Sequence, residues 1–247
     1  MCFHTKTTTS IKDLEEKLKV VRNDQFEISD NDFYHFHLNG YSHPEMLIIP
    51  QEDPSILNPS NWGLMPRNEE GIKRNDYYKK AVKWGGGLNA QSEKMFEHFL
   101  YKYSAFERRC LIPVDGFYEP HTAPNKLKIP FLFQRKNKAP FCLAGLYQIT
   151  KDGFVTMTIL TRKASPLFAK IHNTKFREPV MLNYDIQKEW LRDDLTERSV
   201  NKLINIPYDY SELETYPVSR DLFSPKVHSD YKGITDKVEY QELNTLL

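Results

Sequence analysis

The sequence predicts one α+β domain, with a sheet or barrel of short strands at its core and helices on its flanks. Thirteen per cent of the 247 residues are aromatic, 15 are proline, and the apolar residues gather in short runs. That composition suits strands and loops better than a helical bundle. Residues 154–160 alternate Val155, Met157 and Ile159 with threonines, the period-two pattern of a strand. No internal repeat, low-complexity tract or linker divides the chain, and its length fits one large domain. The domain is expected over 2–235, with 236–247 as a C-terminal tail.

Taken in order, Ile11, Leu14, Leu18 and Val21 recur at helical spacing, with Ser10 placed to cap and Asp13 and Glu15 near the positive end. Strands are predicted from Phe33 to Leu38 and from Met46 to Ile49, the latter closed by Pro50. Polar residues with Pro54 and Pro59 read as a loop. Gly85, Gly86 and Gly87 permit a sharp turn that aims Asn89. Beyond Ser92, a possible cap, Met95, Phe96, Phe99, Leu100 and Tyr103 predict one helical face. Cys110–Val114 reads as a strand running into Asp115-Gly116, which puts Glu119 just beyond a strand and turn. Further strands are predicted at Phe131–Gln134, Phe141–Ile149 and Phe154–Leu160. Helices are expected near Pro166–Ile171 and Ile186–Arg192, and a late strand at Pro217-Val218 precedes a polar tail.

Lys and Arg total 34 against 33 Asp and Glu, so a formal charge of +1 supplies no global field for a polyanion. Any nucleic-acid site must be a local basic patch. Apolar runs such as Met46–Ile49 and Phe141–Leu146 fall far short of the roughly 20 residues that span a bilayer. The polar start Met1-Cys2-Phe3-His4-Thr5-Lys6 lacks the apolar core of a secretory signal, so a cytoplasmic protein is expected. Three cysteines without a Cys-x-x-Cys pair fit reduced thiols. His35 and His37 share a strand face, but no third ligand lies near them, so neither a metal nor another cofactor is expected.

Cys2 offers unusual chemistry. Removal of Met1 would leave an α-amine and a thiol on adjacent carbons. The amine, with a reference pKa of about 7.7 to 8, is partly unprotonated near neutrality and can attack an aldehyde to give an imine. The thiol can then close a five-membered thiazolidine, favoured by effective molarities on the order of 10⁵ M or more.

Six blocks then occur in order: Met1-Cys2, Trp62-Gly63-Leu64-Met65-Pro66, Asn89-Ala90-Gln91-Ser92-Glu93, Arg108 through Glu119, Ala144-Gly145-Leu146-Tyr147 and His172 through Leu182. Together they resemble the SRAP (SOS response-associated peptidase) family over most of the chain, the Arg-Arg-Cys to Phe-Tyr-Glu block being the most specific. The resemblance implies a single mixed domain around a strongly curved, mainly antiparallel sheet. It also implies binding of single-stranded DNA, or a single-strand/duplex junction, and covalent capture of abasic-site aldehydes with self-removal of Met1. By motif position Cys2 resembles the nucleophile, Asn89 the amide beside it, Glu119 the acid/base carboxylate and His172 the histidine beside the sugar. A carboxyl buried near Phe117 and Tyr118 would have the raised pKa that proton shuttling near neutrality requires.

The chain departs from the family pattern where Phe3-His4 replaces Gly-Arg, Gln91 replaces Arg, Pro120 replaces Trp, and Phe176-Arg177-Glu178-Pro179 replaces Arg-Met-Pro. Remaining candidates for the DNA path are Arg67, Arg74, Lys94, Arg108, Arg109, Arg162, Lys175 and Arg177, with Trp62, Pro66 and Phe176 as stacking surfaces. Arg162 and Arg177 lead because they adjoin the His172 motif, whereas Trp84 and Trp190 are expected in the core. The protein is expected to act as a monomer. Two other classes fit the same residues: an N-terminal-cysteine peptidase or amidase acting on an external substrate, and a noncatalytic DNA-binding module.

Overall fold

The computed structural model describes residues 2–243. Met1, on which the expectation of methionine removal falls, and 244–247, the end of the expected tail, lie outside the described residues. The strands are β1 (His4–Thr7), β2 (Val21–Arg22), β3 (His35–Asn39), β4 (Glu45–Pro50), β5 (Ile56–Trp62), β6 (Asn89–Gln91) and β7 (Arg109–Val114). They continue as β8 (Gly116–Thr122), β9 (Lys128–Arg135), β10 (Phe141–Ile149), β11 (Val155–Lys163), β12 (Arg177–Pro179), β13 (Met181–Leu182) and β14 (Leu213–Pro217). Helices are α1 (Ile11–Leu18), α2 (Asp30–Phe33), α3 (Arg74–Ala81), α4 (Lys102–Glu107), α5 (Pro166–Ile171), α6 (Tyr184–Trp190) and α7 (Glu197–Ile204).

The curled sheet predicted from the sequence is present. Strands β11, β10, β7, β4 and β5 run side by side, and β5 pairs back onto β11, so these five close on themselves. Most pairings are antiparallel; β5 and β6 meet β11 in parallel. A second, five-stranded sheet has the order β14-β9-β8-β1-β3. The chain crosses between sheets from β7 to β8 through one residue, Asp115. Its carboxylate accepts from the Thr8 and Thr9 amides and from the Thr9 hydroxyl, which ties the crossover to the end of β1.

Alternation builds the core. Along β7, Cys110, Ile112 and Val114 join the cluster that holds Cys2, Phe117, Phe133 and Phe168, while Leu111 joins the cluster under the helices with Trp190, Val200 and Leu203. Both faces of β7 and β10 are therefore buried, which explains their near-continuous apolar runs. On the far side of the second sheet, Tyr118 and Leu132 pack against Val218, Leu222 and Ile234 of the C-terminal segment.

Several expectations are corrected. Pro54 lies in the turn before β5, but Pro59 falls within that strand instead of in a loop, opposite Leu47 while its neighbours carry the pairing. No single helix spans 95–103. Met95, Phe96 and Tyr101 are buried, but Phe99 is 84% exposed, and the chain turns irregularly before α4. Val21 leaves α1, which ends at Lys19 in the left-handed conformation. Glu119 lies beyond β7 and the bend at Asp115, as expected, and there forms part of β8. Helix α7 was not anticipated, although Thr196 caps it through the Ser199 amide. Trp190 is buried as expected, whereas Trp84 is 72% exposed.

Candidate active site

Cys2 and Phe3 lead into β1, which is held between β3 and β8. Because His4 pairs with Tyr118 and Thr5 with Phe117, the chain start is fixed alongside Glu119. Glu119 shares a strand face with Phe117, turned toward the cluster containing Cys2, while Tyr118 faces the opposite side. The Cys2 thiol is fully buried and 3.8 Å from the His4 carbonyl. Burial raises its pKa well above the ordinary thiol value, and the charge of Glu119 raises it further. The resting thiol is therefore protonated.

His172 follows α5, which packs on β8. Its position is fixed by its neighbours: Asn173 clamps the backbone of Thr122, accepting from its amide at 3.0 Å and donating to its carbonyl at 2.9 Å. His121 contacts the Lys170 and Ile171 carbonyls at 3.2 and 3.1 Å. His172 Nδ1 is 2.9 Å from the Arg177 carbonyl and 3.2 Å from Glu119 Oε2. A carbonyl only accepts, so the proton sits on Nδ1 and Nε2 is left as an acceptor.

Glu119 is wholly inaccessible to solvent, and burial pushes its pKa up to about 7. Burial pushes His172 down to about 4. Their close approach is a charged pair by geometry alone, since between those values both groups are mostly neutral. A carboxyl that titrates near neutrality beside a neutral imidazole is suited to accepting and returning a proton.

Asn89 opens β6 and pairs with Ile159 of β11. The turn before it is demanding: Gly85, Gly86 and Gly87 all have positive φ, and a side chain on Gly87 would strike the Leu64 carbonyl oxygen at 2.5 Å. The Leu88 carbonyl accepts from Trp62 Nε1 at 2.8 Å, placing Leu88 in the same cluster as Cys2. Both polar atoms of the Asn89 side chain are shielded from water and have no hydrogen-bond partner among the described residues. An orphaned polar group of this kind costs about 1–3 kcal/mol.

A cleft of about 720 Å³ borders this cluster, lined by His172, Phe3, Tyr41, Pro120, Lys128 and Lys175, with residues of the C-terminal segment along its other wall. No carboxylate among the described residues lines it. Lys128 was missed by sequence reasoning, because a lysine opening a strand carries no signal of its own.

The DNA candidates separate into engaged and available groups. Trp62 is fully buried and cannot stack on a base. Arg109 is equally buried, donating to the carbonyls of Ala105, Phe106, Trp190 and Arg192. Arg162 binds Glu178 at 2.7 Å together with the Ile204 and Ile206 carbonyls and the Tyr210 hydroxyl. Arg177 makes a forked pair with Glu93 at 2.8 and 2.9 Å and reaches the Thr161 carbonyl. The expectations of Trp62 as a stacking surface and of Arg109 as a DNA contact are thus corrected, since both side chains are fully buried; Arg162 and Arg177, the leading candidates, are engaged with Glu178 and Glu93. Arg67 and Arg108 both lie over the Tyr103 ring, and Arg74 lies over Phe154. Pro66 is half-buried, Phe176 is half-exposed, and Lys94 and Lys175 are exposed.

His35 pairs with Asp230 and His37 with His4 and Ser229, so both histidines serve to hold the C-terminal segment. No group of three or more His, Cys, Asp or Glu residues that could hold a metal occurs among the described residues. No helix there is long and apolar enough to cross a membrane.

Residues 1–225 match the family model described as SOS response associated peptidase (SRAP). The chain is 32% identical over 219 residues to the abasic site processing protein YoaM of Bacillus subtilis, covering 83% of this chain and 89% of that protein. It is 30% identical over 233 residues to YoqW, an abasic site processing protein of the same organism, covering 93% and 97%. Among solved structures, a Bacteroides thetaiotaomicron protein superposes with a TM-score of 0.79 at 24% identity, covering 96% of this chain and 100% of that one.

Proposed function

The chain belongs to the SOS response-associated peptidase (SRAP) family, and from that premise we propose that it processes abasic sites in DNA by joining Cys2 to them covalently. Relatives that span nearly the same length are named for abasic-site processing, which supports the substrate class. The observation that carries the chemistry is the Glu119 carboxyl, fully buried, pushed up to about 7, in contact with His172 and felt electrostatically by the Cys2 thiol.

The sequence of steps follows from those protonation states. An abasic sugar is mostly a closed hemiacetal. Opening it moves a proton from the anomeric hydroxyl to the ring oxygen, and a carboxyl near its pKa can take one proton while giving another. With Met1 removed, the Cys2 amine adds to the exposed aldehyde carbon, and loss of water gives the imine. The thiol sulfur then bonds to the imine carbon while the thiol proton passes to nitrogen, closing the thiazolidine with no atom left over. The amine acts first because burial keeps the thiol protonated. His172, which lines the cleft, serves as an acceptor for the sugar hydroxyl freed on opening, and the Asn89 amide supplies the donor and acceptor for the amine or the reacting oxygen. Single-stranded DNA, or a strand at a duplex junction, is the proposed partner, since a lone flexible strand can bring a sugar into a recessed site.

Intact mass before and after incubation with an abasic single-stranded oligonucleotide tests this directly. The expected result is a starting mass lacking Met1 and a denaturation-resistant adduct of protein plus oligonucleotide less one water. Peptide turnover without an adduct would instead identify a peptidase or amidase, and reversible binding alone would leave a DNA-binding module.

A further inference from the structure

Building on the DNA reading above, we infer that single-stranded DNA leaves the Cys2 cleft over Tyr41 and runs along α3 to the turn just beyond it, where Trp84 stacks on a base and Lys80 and Lys83 neutralise phosphates.

The starting point is continuity. Tyr41 lines the 720 Å³ cleft and also a second groove of about 590 Å³ bordered by His43, Asn61, Arg74 and Lys79. Tyr41 is 61% exposed and rests on Phe3, ring centroids 4.8 Å apart at 28°. Phe3 adjoins Cys2, so the stacked pair forms a ridge between the reactive residue and the second groove. Among the described residues, Glu45 is the only carboxylate lining that groove.

Local charge supplies the second support. Between residues 73 and 84 the chain carries Lys73, Arg74, Lys79, Lys80 and Lys83 against Asp76 alone, five positive charges to one negative, or +4 within a chain of net +1. Glu70 engages Lys73, and Asp76 lies 3.8 Å from Lys79 in an exposed pair worth little. Lys80 and Lys83 are exposed. Lys83 Nζ lies 4.2 Å from the Trp84 ring centroid, a cation over an aromatic face that is itself 72% exposed. Exposing a tryptophan this far forgoes substantial burial, and basic residues interleaved with aromatic rings suit a flexible polyanion whose bases can stack.

This arm is mounted rigidly. Tyr78 of α3 stacks on His43 at 3.6 Å with planes 5° apart, and its hydroxyl donates to the Gly63 carbonyl at 2.7 Å. His43 in turn contacts the Trp62 carbonyl at 2.8 Å. Gly63 and Gly86 leave room for this packing, since a side chain at either would approach the His43 ring within 2.4 or 3.1 Å. Tyr41 and α3 are thus held in fixed relation.

Trp62 and Trp190 are both fully buried, so Trp84 fluorescence reports on the arm. Cys2→Ala protein is titrated with lesion-free oligo(dT) of increasing length, followed by Trp84 emission and by anisotropy of labelled DNA. Trp84→Ala and the double variant Lys80→Ala/Lys83→Ala are compared with it, and melting curves confirm their folding. Emission should be quenched only above a threshold length, and Trp84→Ala should lose about tenfold in affinity for long strands and nothing for short ones. Unmoved emission and unchanged variant affinities at all lengths would overturn the track. Equal quenching by poly-glutamate would overturn single-stranded DNA as its occupant. A parallel abasic-oligonucleotide reaction with unmodified Cys2 separates the two readings: adduct formation with silent Trp84 sinks the track alone, whereas length-dependent quenching without adduct supports the track and removes the covalent chemistry.

Discussion

Two buried polar clusters in this protein use similar residues to opposite ends. Around Arg162, both charged groups are matched: the guanidinium meets Glu178, two carbonyls at and just beyond a helix end and the Tyr210 hydroxyl, while Glu178 also accepts from the Ser165 amide at 2.9 Å. Around Glu119, the carboxyl meets a histidine that burial keeps neutral and its own pKa is pushed up to about 7, while the amide of Asn89, which follows Leu88 of the cluster holding Cys2, lacks a partner among the described residues. Complete matching marks a structural anchor. Incomplete matching in a rigid frame stores a tendency to bind or react, and the comparison predicts that substitutions in the first cluster change stability while those in the second change chemistry.

The largest effect expected is all-or-none. Cys2→Ala should give no denaturation-resistant adduct with abasic DNA, because both ring-forming nucleophiles must reside on one residue, while its melting temperature stays close to that of the parent. Adduct formation by this variant on a denaturing gel would move the chemistry elsewhere. Next comes Glu119→Gln, expected to slow adduct formation by about 10² to 10⁴. Its stability should move the other way. Because the folded pKa of Glu119 lies above the unfolded value, ionising it opposes folding, with a cost that grows as pH rises from about 4.5 through 7. The Gln variant should therefore gain melting temperature relative to the parent above pH 7. A variant that reacts at the parental rate between pH 6 and 8 would remove Glu119 from the mechanism.

For the anchor, Arg162→Ala should cost about 3–5 kcal/mol, since Glu178 would remain buried without its cation. Urea unfolding measures this, and a loss below about 1 kcal/mol would show that Glu178 readily finds water. The same substitution should leave the slope of log affinity against log salt unchanged, although sequence position beside the His172 motif made Arg162 the favoured DNA contact.

That reversal shows what the sequence could express. Period and caps were legible: α5 has its expected bounds, Ser10 caps α1 through the Asp13 amide at 3.2 Å, and the alternation of β11 is real. The curled sheet and the four residues Cys2, Asn89, Glu119 and His172 also came from motifs in order, and three of them are brought together by one sheet and one helix end. What could not be read was which long side chain finds an internal partner. Arg162 and Arg177 are consumed by Glu178 and Glu93, acids distant or unremarkable in sequence, and nothing in residue type distinguishes buried Trp62 from exposed Trp84. Strand β5 was hidden because a proline within a strand reads as a breaker.

A smaller, pH-dependent effect separates the clusters again. His4, His37 and His172 are held neutral by burial, with values of about 3, 4 and 4. Each contributes stability that is full above about 6.5 and is lost as pH falls toward those values, because the unfolded chain binds the proton more readily. Melting temperature should drop between pH 6.5 and 4. His4→Asn should flatten the profile, since His4 and His37 lie 2.9 Å apart and cannot both charge without repulsion. An identical profile in that variant would assign acid sensitivity elsewhere.

The smallest effect tests what replaces the engaged arginines. The cleft beside His172 is lined by Lys128 and Lys175 and, among the described residues, by no carboxylate. If a strand lies there, each lysine that meets a phosphate releases a counterion on binding. Lys175→Ala should lower the slope of log affinity against log salt by about 0.7, and Lys128→Ala by a similar amount, without regard to base sequence. Both side chains are exposed, so neither change should shift unfolding by more than about 0.5 kcal/mol. The measurement is a salt series of noncovalent binding in the Cys2→Ala background, with Arg162→Ala alongside. Opposite outcomes are expected for the two kinds of residue: lysine variants with parental stability and a shallower slope, and an arginine variant with lowered stability and the parental slope. If Arg162→Ala shared the shallower slope while the lysine variants did not, the polyanion would have to cross the face near β12, and the matched cluster would be part of the binding surface after all.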